Sequence, residues 1–179
     1  MAEHKRRKSD VIDDPKYLEG LTERSVEDLK SMRDDCVALE NEVSYERRMC
    51  HARMDLLSAE LDHRAGKAED VISRLPEILA AESREENSPM PNRAPDLSVP
   101  ENAGGPRRRI DEVSGGRTLA ELLVMEPEEI KKLIDSLADY EKKLSEQRTK
   151  LHEVLDQIQA ELVSRYTKGE ASSDAIMGR

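Results

Sequence analysis

"ENEVSYERRMCHARMD", residues 40–55, decides how this chain folds, because its meaning appears only beside "EKKLSEQRTKLHEVLD" at 141–156. Laid side by side, the two stretches share five residues: Glu40/Glu141, Ser44/Ser145, Arg47/Arg148, His51/His152 and Asp55/Asp156. On a helix turning 100° per residue, that spacing keeps all five within roughly 80° of arc. Each set is therefore one continuous polar stripe. Neighbouring positions diverge, as at Asn41/Lys142, Glu46/Gln147 and Arg48/Thr149.

The correspondence extends well beyond the stripe. At a fixed offset of 101 and without gaps, Leu18–Arg64 aligns on Leu119–Arg165 with 14 identities in 47 positions. Composition alone, even one this biased, matches roughly one position in fifteen. The excess points to a duplication, concentrated between Glu40 and Leu61.

Apolar residues recur every seven positions in both copies: Leu29, Cys36, Val43, Cys50 and Leu57, then Ile130, Leu137, Leu144, Leu151 and Ile158. These define heptad position a. Met32, Leu39, Leu133 and Tyr140 occupy d; beyond them Glu46 and Gln147 break the row, and Met54, Leu61, Leu155 and Leu162 take up e. Each helix thus offers a single apolar seam, and neither could stand alone in water. The fold class that follows is all-α: an antiparallel two-helix coiled coil with short flanking helices and a disordered linker. Antiparallel pairing is favoured because successive elements return beside each other. It sets the e edge of one helix against the e edge of the other, which places both stripes on one side under a pseudo-twofold axis.

Composition agrees. A chain of 179 residues with no Trp or Phe, four Tyr and 38% charged residues cannot fill a thick aromatic core, and a thin helical seam suits it. No β-branched runs bounded by turns suggest a sheet. A net charge of −10 argues against direct DNA binding, which needs a concentrated positive face, and favours a basic protein partner. The short basic runs at 5–8 and 107–109 read as solubilising charge. With neither an apolar span near 20 residues nor a signal-peptide pattern, the expected location is the cytoplasm, without membrane contact. Cys36 and Cys50 lie 14 residues apart on one helix, roughly 21 Å. That is beyond disulfide reach, and buried reduced thiols are expected.

Along the chain, residues 1–17 read as a flexible arm, 18–64 as the first repeat with its long helix, and 65–84 as a short helical piece interrupted by Pro76. Residues 85–117, rich in proline and glycine, read as a disordered linker; 118–166 form the second repeat and 167–179 a flexible tail. Ser25 followed by Asp28 signals a helix start, Gly66 a stop, Pro127 an N1 residue and Gly169 a second stop.

The stripe admits several readings. Charged helical faces are commonly solvated ion pairs, but such a face tolerates swaps and gives no reason for five coincident identities. A metal could use the His51/Asp55 and His152/Asp156 pairs, spaced i, i+4. The b and f positions point outward, however, and a metal leaves Arg47 and Arg148 unexplained. Nucleophilic catalysis lacks an activated nucleophile and a glycine-rich phosphate loop, so no enzyme is expected. A binding face accounts for more. Arginine can read the O6/N7 edge of guanine, stack on bases or pair with phosphate. A carboxylate such as Asp55 can accept from the guanine N1–H and amine, and Ser44 and His51 can bond phosphate or sugar. Glu40 can orient the arginine. Two such stripes under a twofold suit a twofold-symmetric ligand rich in guanine and phosphate, a description that cyclic di-GMP meets.

Two copies of E-x3-S-x2-R-x3-H-x3-D on an antiparallel coiled coil resemble the signature of the RsiG-type anti-sigma factors of actinobacteria, E-x3-S-x2-R-x3-Q-x3-D. Both copies match at Glu, Ser, Arg and Asp; His51 and His152 stand where that family has Gln. The resemblance implies that Glu40, Ser44, Arg47, His51, Asp55, Glu141, Ser145, Arg148, His152 and Asp156 bind cyclic di-GMP, held as a stacked dimer. It also implies a WhiG-type sigma factor as partner, sequestered by the ligand-loaded protein so that a sporulation regulon is repressed. A scaffolding coiled coil without a small ligand is the alternative. The apolar pieces near Leu18–Leu21, Val71–Leu79 and Leu119–Met125 suit either partner docking or capping of the coil ends.

Overall fold

The computed structural model describes Ile12, residues 14–67, Pro76, residues 109–118, Glu121 and residues 124–169. Among the described residues, three α-helices carry the fold: α1 (Val26–Arg64), α2 (Arg109–Val113) and α3 (Pro127–Thr167). Two 3-10 turns, Pro15–Leu18 and Leu21–Glu23, precede α1.

The sequence signals explain where the long helices begin and end. Ser25 Oγ accepts the Asp28 amide at 3.1 Å and donates to the Asp28 carboxylate at 2.7 Å, satisfying an orphan donor of the first turn. After α1, Gly66 adopts φ +68°, its amide bonds to His63, and the Lys67 amide reaches Asp62. This pair of bonds closes a Schellman turn, which needs a left-handed residue that glycine supplies without strain. At the start of α3, Pro127 occupies N1, where no amide hydrogen is needed, and Glu129 reaches back to the Glu126 amide at 3.4 Å.

The chain packs as two units: Met1–Val43 with Glu146–Arg179, and Ser44–Ser145. In both, α1 lies antiparallel to α3. In the first unit Glu40 meets Arg148 while Thr22, far earlier in the chain, meets Arg165. In the second, Arg47 meets Glu141 and Arg64 meets Met125. All ten a positions are buried, and Leu29, Cys36, Cys50, Leu57, Ile130, Leu137 and Ile158 are fully so. Burying a Leu or Ile side chain contributes about 1.5–3 kcal/mol. This row is therefore the main source of stability. Met32, Leu39 and Leu133 follow at d, and Leu155 and Leu162 at e are buried, while Met54 and Leu61 are half-buried.

The broken d row has its own solution in the second unit. Glu46, on α1, accepts a hydrogen bond from the Tyr140 hydroxyl of α3. A half-buried carboxylate is thereby satisfied where an apolar side chain was expected.

Two expectations are corrected. The flexible arm does not extend to residue 17: Ile12 is buried and Pro15–Leu18 is an ordered turn capped by Asp14, whose side chain accepts the Lys16 amide. Tyr17 lies beside α1, with its hydroxyl 3.5 Å from the Met32 carbonyl oxygen and the Cys36 thiol 3.9 Å away. Nor does a structureless linker reach to residue 117. Within it, α2 buries Ile110 completely, and Arg53 holds the segment through the Ile110 carbonyl (3.1 Å), Ser114 Oγ (2.9 Å) and Asp111 (2.7 Å). Leu56 and Ala59, off the seam of α1, are buried in the same unit. A Schellman turn at Gly115 ends α2.

The short helical piece at 68–84 (apart from Pro76), the linker at 85–108, the arm at 1–11 and the tail at 170–179 lie outside the described residues, as does the Val71–Leu79 docking candidate. No helix among the described residues is long and apolar enough to cross a membrane.

Candidate ligand-binding site

The shared residues form two clusters, one in each unit, built the same way. In the Ser44–Ser145 unit, Arg47 on α1 donates through Nε to Oε1 of Glu141 on α3 at 3.0 Å. His51 Nε2 lies 3.2 Å from that same oxygen, and Ser145 Oγ donates to it at 2.7 Å. In the other unit the helices exchange roles. Arg148 Nε donates to Glu40 Oε1 at 3.0 Å, and His152 Nε2 lies 3.3 Å from it. An ionised carboxylate only accepts, so Nε2 of each histidine carries the proton in these contacts.

The heptad explains why the clusters form. Glu40, Arg47, Glu141 and Arg148 all occupy e, and the e edges meet in an antiparallel pair, as the sequence predicts. The histidines, one turn further at b, do not point outward as expected. Their side chains are 29% exposed and turn to the glutamate of the opposite helix. Each glutamate serves the arginine across the seam.

Electrostatics follow from this gathering of donors. Burial pushes the Glu141 carboxyl up, but hydrogen bonds from Ser145, Arg47 and His51 outweigh it and hold the group below the usual carboxylate range. The carboxylate therefore stays ionised, and the arginine and histidine are held to a fixed charge. Each arginine engages it through Nε alone. Among the described residues no hydrogen bond of the Nη groups of Arg47 or Arg148 is present, and these side chains are 27% and 30% exposed.

Asp55 and Asp156 stand apart. Both are exposed, one turn beyond the histidines, and make no hydrogen bond or ion pair among the described residues. Ser44 is half-buried on α1, four residues after Glu40 as Ser145 is after Glu141. The i, i+4 His/Asp metal reading gains no support: among the described residues no three His, Cys, Asp or Glu side chains are grouped to hold an ion.

Residues 15–79 match the RsiG-like family. The matched region begins at the ordered turn that carries Tyr17 and contains the whole first copy of the motif, Glu40 to Asp55. The second copy lies outside it and is tied to the RsiG-like segment by the internal repeat and by the matching cluster around Glu40. The role that goes with RsiG-like proteins is that of an anti-sigma factor, and a sigma factor is the partner it implies. No curated protein matches the chain.

A second duplicated device lies near the helix ends. Glu60/Glu161 and Arg64/Arg165 are also identical between the two copies. Arg64 bonds Glu60 at 2.6 Å and the Met125 carbonyl at 2.5 Å, just before α3 begins. Arg165 bonds Glu161 at 2.6 Å and the Thr22 carbonyl, just before α1. Each arginine ties the end of one long helix to the chain entering the other. Their i, i+4 spacing was the available signal.

Proposed function

We propose that this RsiG-like protein is a cytoplasmic anti-sigma factor that binds cyclic di-GMP on its doubled E-x3-S-x2-R-x3-H-x3-D face. In that state it sequesters a WhiG-type sigma factor and represses a sporulation regulon. One observation carries the ligand reading. Mutual hydrogen bonding across the helices accounts for the recurrence of Glu, Arg and His, but it gives no reason for Asp55 and Asp156. Two identical exposed carboxylates, each one turn from an arginine–histidine pair, match the donor edge of guanine, while the arginine Nη groups suit phosphate or the guanine O6/N7 edge. The acidic balance of the chain suits the basic, polymerase- and DNA-facing surfaces of a sigma factor.

The scaffolding reading keeps one observation in its favour: each arginine and histidine already has an internal carboxylate partner. Isothermal titration with cyclic di-GMP separates the two, together with co-purification of a WhiG-type sigma factor with and without the nucleotide. Binding by the native chain, abolished by combined Asp55→Asn and Asp156→Asn with the melting temperature intact, is the expected result. Binding that survives combined Arg47→Ala and Arg148→Ala would remove the site assignment, and no nucleotide binding at all leaves the scaffold.

A further inference from the structure

Glu40 and Glu141 each occupy the position an anion would take. One carboxylate oxygen of Glu141 receives Arg47 Nε at 3.0 Å, His51 Nε2 at 3.2 Å and Ser145 Oγ at 2.7 Å, two of these donors from the opposite helix. A guanidinium, an imidazole and a hydroxyl converging on one oxygen form an anion-binding arrangement. The guanidinium and imidazole recur on one oxygen of Glu40, with Arg148 at 3.0 Å and His152 at 3.3 Å. Whatever phosphate-bearing ligand comes to Arg47 or Arg148 meets an arginine Nε and a histidine Nε2 already committed to a carboxylate of the chain itself.

We propose that Glu40 and Glu141 are built-in competitors: each holds an anion site closed until a phosphate group takes over its arginine and histidine. This rests on the ligand site proposed above. A competing internal group lowers apparent affinity by the fraction of time the site stands open, without touching the ligand. It also sharpens selectivity, because a weakly held monoanion does not repay displacing a carboxylate bonded to three donors, whereas a ligand with two phosphates and base contacts does.

The opposing role is plain. If the glutamates position the arginines for the ligand, removing their charge weakens binding; if they compete, it strengthens binding. The full-length chain is compared with Glu40→Gln, Glu141→Gln and the pair, with Glu146→Gln as a control that removes one exposed charge from α3 outside the clusters. Gln is close in shape and still accepts a hydrogen bond, so the coil is retained, and circular dichroism melts check that it is. Two probes are titrated by calorimetry, cyclic di-GMP and inorganic pyrophosphate.

The expected result is cyclic di-GMP affinity raised about tenfold in the double variant, a gain in pyrophosphate binding, and no change in the control. Equal or weaker binding of both probes by the Gln variants overturns the competitor role while leaving the ligand reading intact. If no chain binds cyclic di-GMP but the Gln variants gain pyrophosphate binding, the nucleotide reading falls and the competitors stand. An equal gain in the control overturns the competitor role as a mere charge effect.

Discussion

Replacing Arg47 and Glu141 by alanine, singly and together, isolates the energy of the cross-helix pair. Their side chains are 27% and 21% exposed at 3.0 Å, between a solvated pair and a buried one. Arg47→Ala leaves Glu141 with Ser145 and His51, and a cost of about 1 kcal/mol is expected. Glu141→Ala strands three donors at once and should cost about 2 kcal/mol. With the acceptor gone the arginine has nothing to lose, so the double variant also costs about 2 kcal/mol, and the coupling is about 1 kcal/mol. Lys131 and Glu128, 2.8 Å apart with 58% and 77% exposure, supply the reference. A pair that solvated should couple by about 0.3 kcal/mol or less. Urea unfolding of the full chain, with constant slope across the cycle, measures both. The pH dependence has a fixed sign. The Glu141 carboxyl is lowered in the fold, so its contribution is complete above the ordinary value of 4.5 and disappears as pH falls below it through the folded value. An Arg47–Glu141 coupling no larger than that of Lys131–Glu128, or one that does not weaken at all as pH falls below 4.5, would refute the reasoning.

Other substitutions probe the packing. Leu137→Ala, at a fully buried a position, should cost about 3 kcal/mol in urea unfolding, and Leu144→Asp should abolish cooperative unfolding altogether. Arg53→Ala removes three bonds to the 110–114 segment and should speed amide exchange there by about tenfold, with little change in α1 itself. Burial, reinforced by Glu46, pushes the Cys50 thiol up from 9.0 to about 12, so native protein should resist thiol reagents at pH 8. Because the folded value is raised, stability is whole below 9.0 and falls as pH rises towards about 12; Cys50→Ala should lessen that alkaline loss in a circular dichroism titration.

The long helices were legible because their signals are local and redundant. Ser25, Gly66 and Pro127 each mark a boundary by a backbone requirement of their own, and ten a residues at strict spacing leave one seam to bury. The ordering of α2 was not legible, since "RRRIDEVSGG" holds a single large apolar pair and looks like linker. What orders it lies far off in sequence: Arg53 at an interrupted d position, with Leu56 and Ala59 buried off the seam. Tyr17 belongs with it, a lone aromatic residue whose place depends on the α1 surface beside Met32 and Cys36. At the site, the meeting of e edges followed from the heptad, but the inward turn of the histidines did not. A b position faces solvent unless a long acceptor crosses from the partner helix, and that depends on the length and charge of Glu40 and Glu141.

The Glu46–Tyr140 bond bears on how freely a duplicated sequence can exchange its halves. By the offset of 101, its counterparts are Leu39 and Gln147, so the two copies have drifted apart at this seam layer, which holds a charge. Two first copies laid against each other in the same register would oppose Glu46 with Leu39 twice over, leaving two carboxylates at the seam without a donor, each a penalty of about 1–3 kcal/mol. The first helix is thus matched to the second and mismatched to itself. The divergence makes a pair of once-equivalent segments into complementary ones, so that a first copy is matched to a second copy and not to another first copy.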